Sequence, residues 1–256
     1  MKNLKIISVL AIALMLSSVS GGLAQTRIPG VAVGDSFKYT YTFEMNVDDS
    51  QSESILTGLL QALIEQTKNI DSAQITITGI SGTSVTAQTT LQFKNGTQES
   101  NTGVTDVSTG MGNLTLSLVA ANLTANDPIY AGNNDEIINE TITKTTALGS
   151  RQVNHQSITM NYDVAQEELS GFGITGPLSQ TNVQNTYWDK QSGMLVEMSY
   201  EMQSRSEQIN ADISIDVVLV DSNVSTIPEY PTIIMVLAAL AVSTVAVIKL
   251  RFSKKH

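Results

Sequence analysis

From Ile209 to Leu219 the chain alternates, with Ile209, Ala211, Ile213, Ile215, Val217 and Leu219 at one parity and Asn210, Asp212, Ser214 and Asp216 at the other. A helix would scatter these residues around its circumference. A strand places every second side chain on one face. The same period recurs in Val85, Ala87, Thr89, Leu91 and Phe93, set between Thr86, Gln88, Thr90 and Gln92. It recurs again in Met194, Val196, Met198, Tyr200 and Met202, with Glu197, Ser199 and Glu201 opposite. Shorter pieces are Tyr39-Tyr41-Phe43, Ile75-Ile77 and Leu114-Leu116-Leu118. An apolar face backed by a polar one is the pattern of an antiparallel sheet with one solvated side. Asn95-Gly96 predicts a two-residue hairpin after the second of these strands, and Asp189 to Gly193 predicts the turn before the third.

One segment has a different period. Ser50 and Glu53 form a capping box, and Ile55, Leu56, Leu59, Leu60 and Leu63 follow at helical spacing, with Lys68 and Asn69 where a helix would end. A single amphipathic helix among strands most simply covers the apolar face of their sheet. Asn122 to Asp135 and Gly171 to Pro177 read as loops, and no repeat or boundary divides residues 26–226. The expected fold is therefore mainly β: a twisted antiparallel sheet or half-barrel with one covering helix. That arrangement is similar to lipid-carrier domains of the LolA type, a likeness of fold that carries no function.

The two ends have an address rather than a place in this fold. Lys2 and Lys5, the uncharged run Ile6–Leu16 and the small residues up to Ala24 describe a secretory signal peptide over residues 1–24. Cleavage after Ala24 fits best and after Ser20 next. Pro231 to Ile248 carry no charge and span about 27 Å as a helix, enough to cross a hydrocarbon core. Lys249, Arg251, Lys254 and Lys255 make residues 249–256 a basic tail that the positive-inside rule keeps in the cytoplasm. Both ends predict a single-pass protein of the cell membrane with residues 26–226 outside. Those residues hold 8 basic against 23 acidic side chains, a net charge of −15. Such a balance argues against a nucleic-acid partner, whose phosphates are held by Lys and Arg.

Pro228-Glu229-Tyr230, followed by Pro231, the apolar span and the basic tail, resembles the PEF-CTERM sorting signals of archaeal surface proteins, with Tyr230 where Phe is usual. The resemblance implies an archaeosortase-like partner that processes the C-terminus and replaces the helix with a lipid. A plain retained anchor is the alternative, since prolines at these positions delimit a helix in any case. A wider likeness covers most of the chain. Uncharacterised archaeal exported proteins carry counterparts of Val33–Tyr39, Lys94–Thr97, Asn126–Tyr130 and Tyr187–Gly193. The family implies no activity and no cofactor.

Residues that carry chemistry are sparse. The chain has no cysteine, which excludes disulfides, thiolate metal sites and a Cys nucleophile. His155 is the one histidine of the exported region and lies in a polar alternating stretch, which predicts a solvated strand residue rather than a triad member. There is no Gly-x-Ser-x-Gly elbow and no phosphate-binding Gly-Lys loop. The carboxylate pairs Asp135-Glu136 and Glu167-Glu168 are sequence neighbours, which on a strand point to opposite faces. Asp127, Asn133, Asn134, Asp135 and Glu136 gather oxygen ligands in the Asn126–Glu136 loop, where calcium competes with a simple solvated loop. Sequons begin at Asn95, Asn113, Asn122, Asn139 and Asn223, and Asn95 and Asn122 are the most reachable for glycosylation.

Met194, Met198 and Met202, with Leu56, Leu60 and Leu63 of the helix, either pack the core or form an adaptable apolar site. The functional expectation is a non-catalytic, membrane-anchored surface protein that acts in envelope structure or surface interaction. The alternatives are a module holding a lipid or other apolar ligand between helix and sheet, and an unrecognised surface hydrolase.

Overall fold

The computed structural model describes residues 27–48, 68–114, 116–164, 177–207 and 209–224. The expected signal peptide, the covering helix up to residue 67, the Pro228-Glu229-Tyr230 motif, the membrane span and the basic tail lie outside them. So do the pair Glu167-Glu168 and all but the last residue of the loop expected over Gly171–Pro177.

Among the described residues, nine strands form one antiparallel sheet. They are β1 (Ser36–Val47), β2 (Ile70–Ser81), β3 (Ser84–Phe93), β4 (Gln98–Asp106), β5 (Glu140–Thr146), β6 (Gly149–Val164), β7 (Leu178–Asp189), β8 (Leu195–Arg205) and β9 (Asn210–Ser222). Their spatial order is β4-β3-β2-β1-β9-β8-β7-β6-β5, an open sheet with β4 and β5 at its edges. Two meanders thus meet at a seam where the first strand pairs with the last, from Phe37 opposite Ser222 to Val47 opposite Ala211.

Register carries the apolar parity from strand to strand. Tyr41 faces Val217, which faces Met198, and Tyr39 faces both Leu219 and Ala73. Ile75 faces Thr89, and Ile77 faces Ala87. A slip of one residue in any pair would turn a whole strand inside out, so the alternation read from the sequence fixes this register.

The cover over one end of the apolar face is the connection from β4 to β5, residues 107–139. A connection of this length without regular structure is uncommon, and here it crosses from one sheet edge to the other. Leu118, Val119, Leu123, Ile129 and Ile138 of this connection are buried, as are Phe37, Tyr39, Val85 and Trp188 of the sheet. Burying side chains of this size contributes about 1.5–3 kcal/mol each. Its polar backbone is satisfied by the sheet: Val119 N donates to Gly193 O (3.0 Å), Asn122 N to Lys190 O (2.7 Å) and Leu195 N to Ser117 O (2.9 Å). Trp188 Nε1 donates to Leu116 O at 3.0 Å, Asn154 Nδ2 to Leu123 O at 2.9 Å and Tyr39 Oη to Leu195 O at 2.9 Å. Burial without water pushes the Tyr39 phenol far up.

Several expectations are corrected here. Leu114-Leu116-Leu118 is not a strand: Leu116 is exposed in a turn, and Leu118 makes only a single bridge, to Met194. The Asn95-Gly96 hairpin has three loop residues rather than two. Gly96 N bonds Phe93 O and Phe93 N bonds Thr97 O, with Gly96 at φ 87°, which is a turn closed by a glycine bulge. The Met194-Met198-Met202 stripe is interrupted by a bulge at Val196, which sets Leu195 rather than Val196 opposite Trp188. Met194 belongs to the turn before β8, whereas Met198 and Met202 face Val217 and Ile213.

Candidate functional site

The polar face brings together the residues with most chemistry. Register aligns Glu140, His155, Tyr187 and Glu197 across β5, β6, β7 and β8. His155 Nδ1 lies 2.9 Å from Glu140 Oε1 and its Nε2 lies 3.2 Å from Asn185 Oδ1. The imidazole stacks on the Tyr187 ring at 4.3 Å and 6°. Lys144 places its ammonium 4.1 Å from the centre of the same ring and 3.2 Å from Glu197 Oε1. The His155 side chain is 14 % exposed, which corrects the expectation of a solvated histidine: Glu140 on β5 and Asn185 and Tyr187 on β7 flank it. Both ring nitrogens are engaged by a carboxylate and a carboxamide, so the ring does not face a serine as a general base would.

Next along this face is a group of acids on β9, β8 and β1. Burial first, and then the charges of Glu197, Glu201 and Glu44, push the Asp216 carboxyl above its ordinary range. Beside it, an open cleft of about 220 Å³ is lined by Glu44, Glu201, Asp212 and Ser214 among others. Arg205 pairs with Asp212 at 2.5 Å at its rim. Among the described residues, no three acidic or histidine side chains converge so as to hold a metal.

Two of the calcium candidates in the loop, Asp127 and Asn133, bond locally. Asp127 Oδ2 accepts from Thr124 N (2.7 Å) and Thr124 Oγ1 (2.9 Å), and Asn133 Oδ1 accepts from Asp135 N (3.1 Å). The loop hydrogen bonds to itself and to the sheet. Arg27, reaching the Pro128 and Ile129 carbonyls, ties it to the N-terminal segment.

On the apolar face, the half of the sheet away from the covering connection has a different composition. Met198, Tyr200 and Met202 of β8 lie beside Thr186, Gln184 and Asn182 of β7. Asn182 is 5 % exposed, and its Nδ2 donates to Tyr162 Oη at 3.0 Å while its Oδ1 has no partner. Turning the carboxamide over would leave the nitrogen without a partner instead. Of the expected apolar contacts, Met198 and Met202 are on this face, Met194 is in the turn at the covered end, and Leu56, Leu60 and Leu63 lie outside the described residues.

The described sequon asparagines are all exposed. Asn95 is at the β3–β4 turn, with Oδ1 accepting from Thr97 N and Thr97 Oγ1 at 2.9 and 2.7 Å. Asn122 holds φ 59° in the covering connection, and Asn223 follows the end of β9. Asn113 and Asn139 have a second use: their Oδ1 atoms accept from Val104 N (2.8 Å) on edge strand β4 and Ser157 N (2.6 Å) on β6.

Sequence reasoning missed Glu140, Lys144, Asn182, Asn185 and Tyr187. They lie on β5 and β7, where polar residues occupy both parities, and only pairing brings them together. No protein-family model matches the chain, and no curated protein matches it significantly.

Proposed function

We propose that this is a non-catalytic, membrane-anchored cell-surface protein of archaeal type, acting in envelope structure or surface interaction. The observation that supports the reading best is the polar face. Its histidine, lysine and facing carboxylates are bonded to one another across four strands, as suits a stiff displayed surface rather than a site that must move protons. In this reading residues 1–24 direct export and residues 231–248 span the membrane. The helix over 50–69 covers apolar sheet, and Pro228-Glu229-Tyr230 offers the end of the chain to an archaeosortase-like enzyme. The test is protease treatment of intact cells followed by intact mass measurement. Digestion of residues 26–226 from outside, on a chain lacking residues 1–24, is the expected result, and full protection sinks the reading. A mass that includes Lys254 and Lys255 rules out C-terminal processing.

A second reading, a module holding a lipid or other apolar ligand between helix and sheet, is favoured by one observation. Asn182 carries a buried polar atom with no partner on the face that holds Met198 and Met202. An amphiphile with one hydrogen-bonding group would satisfy it while its chain lies on the methionines. Native mass spectrometry on mildly extracted protein distinguishes the readings. A stoichiometric adduct lost in Asn182→Leu supports the ligand, and a bare mass removes it.

A further inference from the structure

The two borders of the sheet are treated unequally. On β4 the exposed residues Gln98, Glu99, Ser100, Asn101 and Thr102 are all polar, and the Asn113 side chain caps Val104 N. At the other border, β5 covers only the first half of β6. It pairs with β6 from Gly149 to His155, and Asn139 continues the edge by bonding His155 O and Ser157 N. Beyond Ser157, β6 runs on to Val164 paired with β7 alone. His155 O and Ser157 N point away from β7, so the alternation of a strand points the backbone groups of Thr159, Asn161 and Asp163 the same way. Those groups have no partner among the described residues. The side chains between them are Met160 and Tyr162, each 45 % exposed on the apolar face of the sheet. An open edge with exposed apolar side chains is a template for another strand.

We infer that this edge of β6 pairs with the same edge of a second copy, antiparallel about a two-fold axis at Asn161. The register is self-complementary. Asn161 lies opposite the partner's Asn161, and Thr159 opposite the partner's Asp163, with about six backbone hydrogen bonds between them. The close, non-hydrogen-bonded positions then set Met160 against the partner's Tyr162, and Tyr162 against the partner's Met160, at Cα separations of about 4.5 Å. A thioether beside an aromatic ring is a favourable contact, and the Tyr162 ring is already held by Asn182 Nδ2 at 3.0 Å. Charge permits this occupant here and selects this register. In a chain with 24 acidic and 14 basic residues, most surfaces repel a second copy. Here the single carboxylate of the pairing segment faces a threonine. The product is a continuous sheet across two molecules, joined by a closed isologous contact that does not propagate into a fibre.

The absence of cysteine from the chain gives a direct test. Full-length protein in mild detergent, carrying Asn161→Cys as its one cysteine, is exposed to a mild oxidant. Facing Asn161 positions have Cα atoms about 5.5 Å apart, within reach of a disulfide, whereas the two Thr159 positions are about 15 Å apart. Asn161→Cys is expected to form a linked dimer at least tenfold faster than Thr159→Cys. Adding Tyr162→Lys is expected to remove the difference while Trp188 emission shows the fold intact. Equal rates for the two cysteines, or a monomer for Asn161→Cys whose thiol still reacts with a small reagent, overturns the inference. Recovery of a different polypeptide on this edge also overturns it.

Discussion

Individual side chains in this sheet are placed by what they do to their neighbours' hydrogen bonds. Asn113 and Asn139 supply the acceptor that an edge strand lacks, at Val104 N and Ser157 N. Replacing either with alanine removes a side chain–backbone bond, and a loss of about 1 kcal/mol is expected in denaturant unfolding of unglycosylated protein. Asn139→Asp, which keeps an acceptor, should lose less. Asp216 gives the opposite case. Its folded carboxyl, raised by burial and by Glu197, Glu201 and Glu44, keeps a proton at pH values where the unfolded chain has released it. The native state then binds more protons, so this residue's contribution to stability falls as pH rises through its raised value. Asp216→Asn should therefore gain over wild type in melting temperature as pH moves from the ordinary Asp range toward neutrality, and a constant difference would refute the assignment. None of this is legible in the sequence. The acids of the Asp216 cluster are distributed over β1, β8 and β9, and His155 reads as solvated until Glu140 and Tyr187 are brought beside it.

At the scale of elements, legibility follows the contrast between the two parities of a strand. β3, β8 and β9 announce themselves because one parity is apolar and the other polar. β4, β5 and β7 carry Thr, Asn, Gln and Ser at both parities, and only pairing identifies them. The covering connection escapes a sequence reading for a related reason. Its buried residues Leu118, Val119, Leu123, Ile129 and Ile138 have no single period, because turns and single bridges interrupt the connection. Two glycines at turns between strands separate backbone freedom from close approach to this connection. Gly193 sits at φ 72°, where an added Cβ would lie 2.1 Å from Val119 O. Gly149 sits at φ 101° with nothing within 4 Å. Gly149→Ala should cost about 1–2 kcal/mol through φ alone. Gly193→Ala must also unseat the connection from the β7–β8 turn, so a larger loss is expected, together with a red shift of Trp188 emission. Equal losses would mean that the docking of the connection adds little.

For the whole molecule, the seam between β1 and β9 decides which pieces are viable. Each meander is built from sequence neighbours, but the pairing of Phe37 with Ser222 closes nearly the entire fold. A chain ending at Arg205 leaves both β1 and β8 as bare internal edges with apolar faces exposed. It should aggregate or be degraded, and a stable monomer with native circular dichroism would contradict this. The intact sheet should unfold in a single transition, with the Trp188 and far-ultraviolet signals coincident.

The seam has a mechanical meaning as well. β9 lies in the middle of the nine strands, bonded along its length to β1 and β8, and its last residue, Ser222, precedes the stretch proposed as the membrane anchor. A load passed from the anchor into the sheet would run along β9 and shear both rows of hydrogen bonds at once. Had the anchor followed an edge strand such as β4, the bonds would break singly, in succession, at far lower force. In the anchored arrangement proposed above, the strand that bears the tension is the one the sheet grips from both sides.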